Sequence, residues 1–77
     1  MLKRKKVVYR VAYFYCDKHL AAMDFFDRYS EALEYATEVS QDADNTEIYV
    51  TEIEITSTGL FKKKHWEEKD LLLLNEY

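Results

Sequence analysis

The sequence predicts a small α+β domain, in which an antiparallel sheet of three to four strands carries one amphipathic helix on one face. Its length of 77 residues suffices for one domain, residues 1–77, and leaves no room for a second core. Residues 7–16 and 47–56 are rich in the β-branched and aromatic side chains that favour strands. Between these two segments, apolar residues recur at helical spacing.

The first strand is predicted over residues 7–16. Both alternating faces of this segment are largely apolar, which is typical of a strand in the interior of a sheet. Residues 17–19 are a polar break, and residues 21–26 form a second, shorter strand. The small alanines in residues 21–26 leave a second possibility open, in which the helix begins early. The element order is therefore β-β-α-β-β, with β-α-β-β as the alternative.

The helix is predicted from an amphipathic stripe that follows Asp27. The carboxylate of Asp27 is suited to accept hydrogen bonds from the first backbone N–H groups of a helix, so we expect it to be the N-cap. The helix is expected to end near Gln41. The apolar stripe consists of Tyr29, Ala32, Leu33, Ala36 and Val39.

A strand over residues 47–56 and a weaker one over residues 60–66 complete the predicted sheet. The apolar phase of the first shifts midway, which indicates either two partly covered faces or a bulge near Thr51. A turn with Gly59 separates the two strands, and the lysines of the second suit an edge position. The tail, residues 66–77, fits a strand or a short helix equally well.

The distribution of charge is the most informative functional feature. The chain has 15 acidic and 11 basic residues and a net charge of -4, which disfavours a nucleic-acid binder that is basic throughout. Residues 29–61 contain eight acidic side chains and no basic one. We expect part of this region to dock a basic surface of a partner protein. A protein that binds nucleic acid is one candidate for that partner. The expected partner-binding residues are Glu31, Glu34, Glu38, Asp42 and Asp44.

An alternative hypothesis is a nucleic-acid-binding module. Residues 1–6 are expected to form a basic arm, and a second basic cluster precedes the tail. Lysine and arginine side chains of this kind contact phosphates. The residues that would do so are Lys3, Arg4, Lys5, Lys6, Arg10, Lys62, Lys63 and Lys64.

A further alternative is a homodimeric structural or assembly subunit. The tail contains four consecutive leucines, a run too apolar to remain exposed in a monomer unless it completes the core. Small domains also gain stability by dimerising. The self-association residues would be Leu71, Leu72, Leu73 and Leu74.

Metal binding and catalysis are not expected. Cys16 and His19 have C-x-x-H spacing and His65 could add a third ligand, but a structural zinc site needs four ligands in a recognisable spacing. No nucleophile motif, phosphate loop or cofactor motif is present. One cysteine cannot form an intrachain disulfide and fits a reducing cytoplasm. No apolar run approaches the roughly 20 residues that span a bilayer, so we expect no membrane association.

Residues 26–36, with Phe26-Asp27 followed by Ser30-Glu31-Ala32-Leu33-Glu34-Tyr35-Ala36, resemble the strand-to-helix junction of many small bacterial and phage domains. This resemblance covers about a dozen residues and implies no activity. The small size and acidic surface are similar to those of phage inhibitors of host defence systems, including anti-CRISPR proteins. That similarity implies a non-catalytic inhibitor that occupies a basic site on its target.

Overall fold

The computed structural model describes residues 3–16, 19–58 and 63–76, which form four strands and one helix. In chain order these are β1 (Lys3–Tyr15), β2 (His19–Phe26), α1 (Tyr29–Val39), β3 (Asn45–Thr58) and β4 (Lys63–Leu74). The strands form one antiparallel sheet in the order β2-β1-β3-β4. The predicted class, a small α+β domain with an antiparallel sheet and one helix, is confirmed.

The sheet is much longer than the helix. β1 pairs with β3 from Lys3 opposite Thr58 to Tyr15 opposite Asn45, with one register shift between Ala12 and Phe14. Lys3 to Lys6 therefore continue β1 and do not form a separate arm, because β3 extends far enough to supply their backbone partners. β2 reaches only as far as Tyr9, so beyond that point the sheet is a three-stranded extension of residues 3–8, 53–58 and 63–68. The molecule measures 48 × 24 × 15 Å.

The core lies between α1 and one face of the two inner strands. Ala32 and Ala36 are fully buried, and their small side chains let the helix approach the sheet closely. Val11, Ile48 and Val50 supply the buried sheet side of this contact. Partly buried side chains that surround it are Tyr9, Tyr13, Phe26, Tyr35, Val39, Leu72 and Leu74. Since the helix lies on this face alone, the opposite face of the sheet is uncovered, and we call it the open face.

The N-cap of the helix lies one residue later than expected. Arg28 is the N-cap, with φ -126° and ψ 139°, and its side chain makes no capping hydrogen bond. The assignment of Asp27 as N-cap was therefore wrong: the backbone turns into the helix at Arg28, whose carbonyl accepts the first helical bond from Ala32 N–H. At the other end the helix tightens, since the N–H groups of Gln41 and Asp42 donate to carbonyls three residues earlier.

The pairing between β3 and β4 contains one register shift. Val50 pairs with Leu72 and the next residue, Thr51, pairs with Asp70, which leaves Leu71 as the extra residue on β4. Of the two alternatives for the phase shift of β3, a bulge near Thr51 in that strand is not found: β3 pairs regularly with β1 from Tyr49 to Thr58, and the extra residue belongs to β4. The tail as far as Leu74 lies in β4. Residues predicted in turns or at the start of the fourth strand that lie outside the described ranges are Asp17, Lys18, Gly59, Leu60 and Lys62.

Candidate functional site

Acidic side chains cluster on the outer side of α1 and on the loop that follows it. All five residues predicted to bind a partner are exposed, and we call them together the acidic surface: Glu31, Glu34, Glu38, Asp42 and Asp44. At about 100° per residue, the three glutamates fall within roughly 60° of arc on the helix. Within the part of the chain that the structure describes, none of the five forms an ion pair.

Two shallow grooves adjoin this surface. The first has a volume of about 530 Å³ and is lined by Ser30, Leu33, Glu34, Thr37, Glu38 and Gln41. The second, of about 420 Å³, is lined by Ser40, Gln41, Ala43, Thr46, Asn75 and Glu76. They share Gln41, so they continue from the helix onto its loop. The half-buried side chain of Leu33 gives the first groove an apolar wall beside its carboxylates.

Amide side chains hold the loop after the helix in place. Asn45 Nδ2 donates to the carbonyl of Val39 at 2.9 Å, and Asn75 Nδ2 donates to the carbonyls of Ser40 at 2.9 Å and Asn45 at 3.0 Å. The bond to Ser40 satisfies a carbonyl group at the helix end, and the other two bonds tie that end to the start of β3. Asp42 Oδ1 also accepts from the backbone N–H of Asp44 at 3.0 Å. The acidic loop is therefore ordered relative to the helix.

The opposite end of the sheet is basic. The register aligns Arg4, Ser57 and Lys64 in one row across β1, β3 and β4, and Lys6, Ile55 and Trp66 in another. The two basic clusters of the sequence thus meet although their strands are not adjacent, because β3 pairs with both. We call this end, residues 3–6, 55–58 and 63–66, the basic tip. It contains six lysine or arginine residues and no acidic one; Lys62 lies outside the described residues.

The open face explains why Arg10 does not belong to the basic tip. Arg10 lies near the middle of β1, and its guanidinium bonds to Glu68 on β4 at 2.8 Å. The ion pair passes over β3, and Ile53 beneath it is only 3% exposed although no helix covers this face. Thr51 is also buried here, and its hydroxyl donates to Asp70 at 2.8 Å. Arg10 is therefore engaged within the sheet.

The four leucines of the tail are divided between the two faces and a bulge. Leu72 and Leu74 pack against the core under the helix, and Leu73 is paired with Tyr49, whose side chain lies on the open face. Leu71 is the most exposed of the four, at 36%. Three large side chains that are more exposed than Leu71 lie elsewhere on the open face: Trp66 at 60%, Phe25 at 58% and Met23 at 45%.

Sequence reasoning missed these exposed side chains as candidate functional residues. The alternation of residues in β2 and β4 shows which side chains share a face. It does not show which face is exposed until the face that the helix covers is known. Tyr9 and Tyr13 of β1 pack on the covered side. A side-chain hydrogen bond with Tyr13, followed by partial burial and a hydrogen bond with Asp24, raises the pKa of Tyr35 beside them.

Of the three residues considered as metal ligands, His65 is placed far from the other two. Cys16 follows β1 at the end of the sheet opposite the basic tip, and His19 begins β2 next to Cys16. His65 lies in the row of Lys5, about 36 Å away along the strand at roughly 3.3 Å per residue. Within the described ranges, no group of three histidine, cysteine or acidic residues is placed to hold a metal ion.

No protein-family model matches this chain, and no curated protein or solved structure is significantly similar to it. Among the described residues, α1 is too short and too polar for a helix that crosses a membrane, and no other helix is present.

Proposed function

We propose that this protein is a non-catalytic protein-binding module that docks a basic partner through the acidic surface. One observation carries the proposal: five exposed carboxylates lie on a helix and its ordered loop, and none of them forms an ion pair within the described part of the chain. Carboxylates arranged in this way produce a field that attracts a basic surface and accelerates its association.

The position of the acidic surface on the helix supports a role in binding. The last turn of α1 contains no basic residue, and Glu38 lies near the C-terminal end of the helix, where the macrodipole disfavours negative charge. Glu34 and Glu38 are also four residues apart, so they repel each other on the helix surface. Both features reduce stability slightly, and a partner's lysine or arginine side chains would relieve them.

The grooves add a surface shape that a side chain of the partner can fit, in addition to the attraction between charges. Leu33 lines the same groove as Glu34 and Glu38, so a lysine or arginine side chain could place its methylene groups on Leu33 and its charge on a carboxylate. A protein that binds nucleic acid presents cations in such an array. We therefore propose, more narrowly, an inhibitor that occupies the phosphate-binding site of such a protein, in the manner of phage anti-defence and anti-CRISPR proteins. The support for this narrower proposal is the acidic surface and the size of the chain.

The test is a quantitative pull-down from lysate of the source cell, with identification of the retained protein by mass spectrometry. The baits are wild type, Glu34→Lys with Glu38→Lys, and a control with the same change in net charge, Asp27→Lys with Glu67→Lys. We expect a basic protein to be retained by wild type and by the control, and to be lost from the groove variant. Equal retention by all three baits would refute docking through the acidic surface.

A second candidate is self-association, which the open face favours. β2 is an edge strand whose only acidic or basic residue is Asp24, whereas the other edge, β4, has six such residues between Lys63 and Asp70. Edge strands are usually protected by charge from pairing with another chain. Met23 and Phe25 extend from this weakly protected edge onto the open face, which suits a second copy of the chain.

Light scattering across a range of protein concentrations tests this candidate. We expect the wild type to approach the mass of a dimer as its concentration rises, and Phe25→Lys to remain monomeric. Leu71→Lys is the comparison, because it would be the disruptive change if the leucine tail carried the contact. A monomeric wild type at every concentration would exclude both versions.

A further inference from the structure

The basic tip places three of its cations and a tryptophan on the same face of the sheet. Antiparallel neighbours point to the same side of a sheet, so Arg4, Lys6, Lys64 and Trp66 all lie on the open face. The row of Arg4 and Lys64 and the row of Lys6 and Trp66 are about 7 Å apart along the strands. Within each row, the outer residues are separated by β3 and lie about 10 Å apart.

These cations are available for an external anion. The three nearest acidic side chains are engaged, and two of them lie on the other face: Glu68 is bonded to Arg10, while on the helix side Glu54 lies 3.3 Å from Lys5 and Glu67 lies 3.4 Å from His65. Arg4, Lys6 and Lys64 are exposed and have no ion pair within the described part of the chain.

Trp66 is the second independent feature of this patch. It is the only tryptophan in the chain, and at 60% it is the most exposed of the large hydrophobic side chains described. Burial does not explain its position, because a tryptophan at this site contributes little to the core. An exposed indole with cations beside it, here Lys64 on the same strand and Arg4 and Lys6 across β3, suits single-stranded nucleic acid, in which the bases stack on the ring and the phosphates contact the cations.

The negative net charge of the chain does not prevent such binding. The row of Val50 under the helix is about 23 Å from the row of Ser57 at the tip, at roughly 3.3 Å per residue. Electrostatic interactions in water fall off over a Debye length of about 10 Å at 0.1 M salt. A phosphate on the open face of the tip is therefore influenced more by Arg4, Lys6 and Lys64 than by the acidic surface.

We propose that the open face of the basic tip is a binding site for single-stranded nucleic acid, with Trp66 as the stacking platform and Arg4, Lys6 and Lys64 as the phosphate contacts. A duplex fits less well, because its base faces are covered by their neighbours in the stack. This site is independent of the acidic surface, which lies at the other end of the molecule. A protein with both would join a nucleic acid at one end to a basic protein at the other.

The experiment is a titration of the full chain with single-stranded dT20, rU20 and a DNA duplex at low salt, read by the fluorescence of Trp66 and by the anisotropy of labelled oligonucleotide. We expect both single strands to quench Trp66 and to bind more tightly than the duplex. The comparison of dT20 with rU20 distinguishes DNA from RNA as the source of the strand. Binding should weaken linearly in logarithmic salt concentration.

Matched variants separate the site from general attraction to anions. Trp66→Ala should weaken binding by roughly 5- to 150-fold, the range expected for one lost base-stacking contact. Phe25→Ala, an aromatic side chain of similar exposure on the same face but away from the tip, should leave it unchanged. Lys6→Gln should weaken binding and reduce its salt dependence, and Lys69→Gln, which removes the same charge outside the tip, should change neither. Urea unfolding of each variant verifies that the fold is retained.

Three results would overturn the proposal. One is the absence of both quenching and an anisotropy change with dT20 and rU20 at low salt. Another is equal weakening by Trp66→Ala and Phe25→Ala, or by Lys6→Gln and Lys69→Gln. The last is tighter binding of poly-glutamate than of either single strand, which would assign the tip to an acidic protein segment. None of these results bears on the acidic surface, whose variants are tested separately.

Discussion

Arg10 on β1 and Glu68 on β4 form a 2.8 Å ion pair that crosses the whole width of β3. The two strands are not neighbours in the sheet, so this pair is a side-chain link between β1 and the edge strand β4. Its position over Ile53 also gives it a packing role, since the methylene groups of an arginine can cover apolar surface while its charge remains hydrated. The ion pair therefore covers Ile53 on the open face, where no helix does.

The Arg10–Glu68 pair is expected to contribute measurably to stability. In a double-mutant cycle with Arg10→Met and Glu68→Gln, we expect a coupling free energy of about 0.5–1 kcal/mol, near the upper end for partly exposed pairs. Urea unfolding at low and high salt measures it, and the coupling should decrease with salt. The Lys5–Glu54 pair is the control, since Lys5 is 66% exposed and its coupling should be smaller. A coupling near zero for both pairs would contradict the role assigned to Arg10.

Local patterns in the sequence were sufficient to predict the elements near the core. The alternation around Val11 and the helical stripe around Ala32 and Ala36 reflect burial, which is the strongest constraint on a small domain. The N-cap was missed by one residue because Asp27 and Arg28 both precede the stripe, and only backbone geometry selects between them. The acidic surface was also predictable, because a helical stripe fixes which side chains point outward.

The basic tip and the open face could not be predicted in the same way. The sequence gives two basic clusters separated by more than fifty residues, and their meeting depends on β3 lying between β1 and β4. That strand order is a long-range property with no local signal. For the same reason Trp66 could not be assigned to a face. The extra residue at Leu71 shifts the alternation of β4, so the leucine run has no single periodicity.

Asn75 is expected to be the most sensitive position outside the core. Its amide makes two hydrogen bonds, and its backbone has φ 51°, a conformation that asparagine and glycine adopt more readily than alanine. We expect Asn75→Ala to lower the free energy of unfolding by about 2–3 kcal/mol, through the lost hydrogen bonds and the unfavourable φ together. Asn75→Gly should cost less, because it removes only the hydrogen bonds. Urea denaturation distinguishes them, and equal losses would show that the backbone conformation contributes nothing.

Tyr35 is expected to make stability depend on alkaline pH. Its raised pKa means that the folded protein holds the phenolic proton more tightly than the unfolded chain does. The resulting stabilisation is complete below the ordinary tyrosine pKa of about 10 and is lost as pH rises from there towards the higher folded value. The pKa values of Tyr15 and Tyr49 are also raised, so the informative quantity is the difference between wild type and Tyr35→Phe. Urea midpoints from pH 8 to 11 should fall less steeply in the variant, and parallel curves would contradict the assignment.

Glu38 is expected to show opposite effects on stability and on partner binding. Glu38→Lys places a cation in the last turn of α1 and converts repulsion with Glu34 into an i, i+4 attraction, so we expect the free energy of unfolding to rise by about 0.5–1.5 kcal/mol. The same change should weaken retention of a basic partner, because it removes one of the two carboxylates that line the helix groove. Glu67→Lys is the control, since it makes the same charge change on β4, outside the acidic surface. Urea unfolding and the pull-down measure the two effects. A variant that gains stability and retains the partner undiminished would show that Glu38 is only a solvated helix residue, whereas gain in one and loss in the other would indicate that stability is sacrificed there for binding.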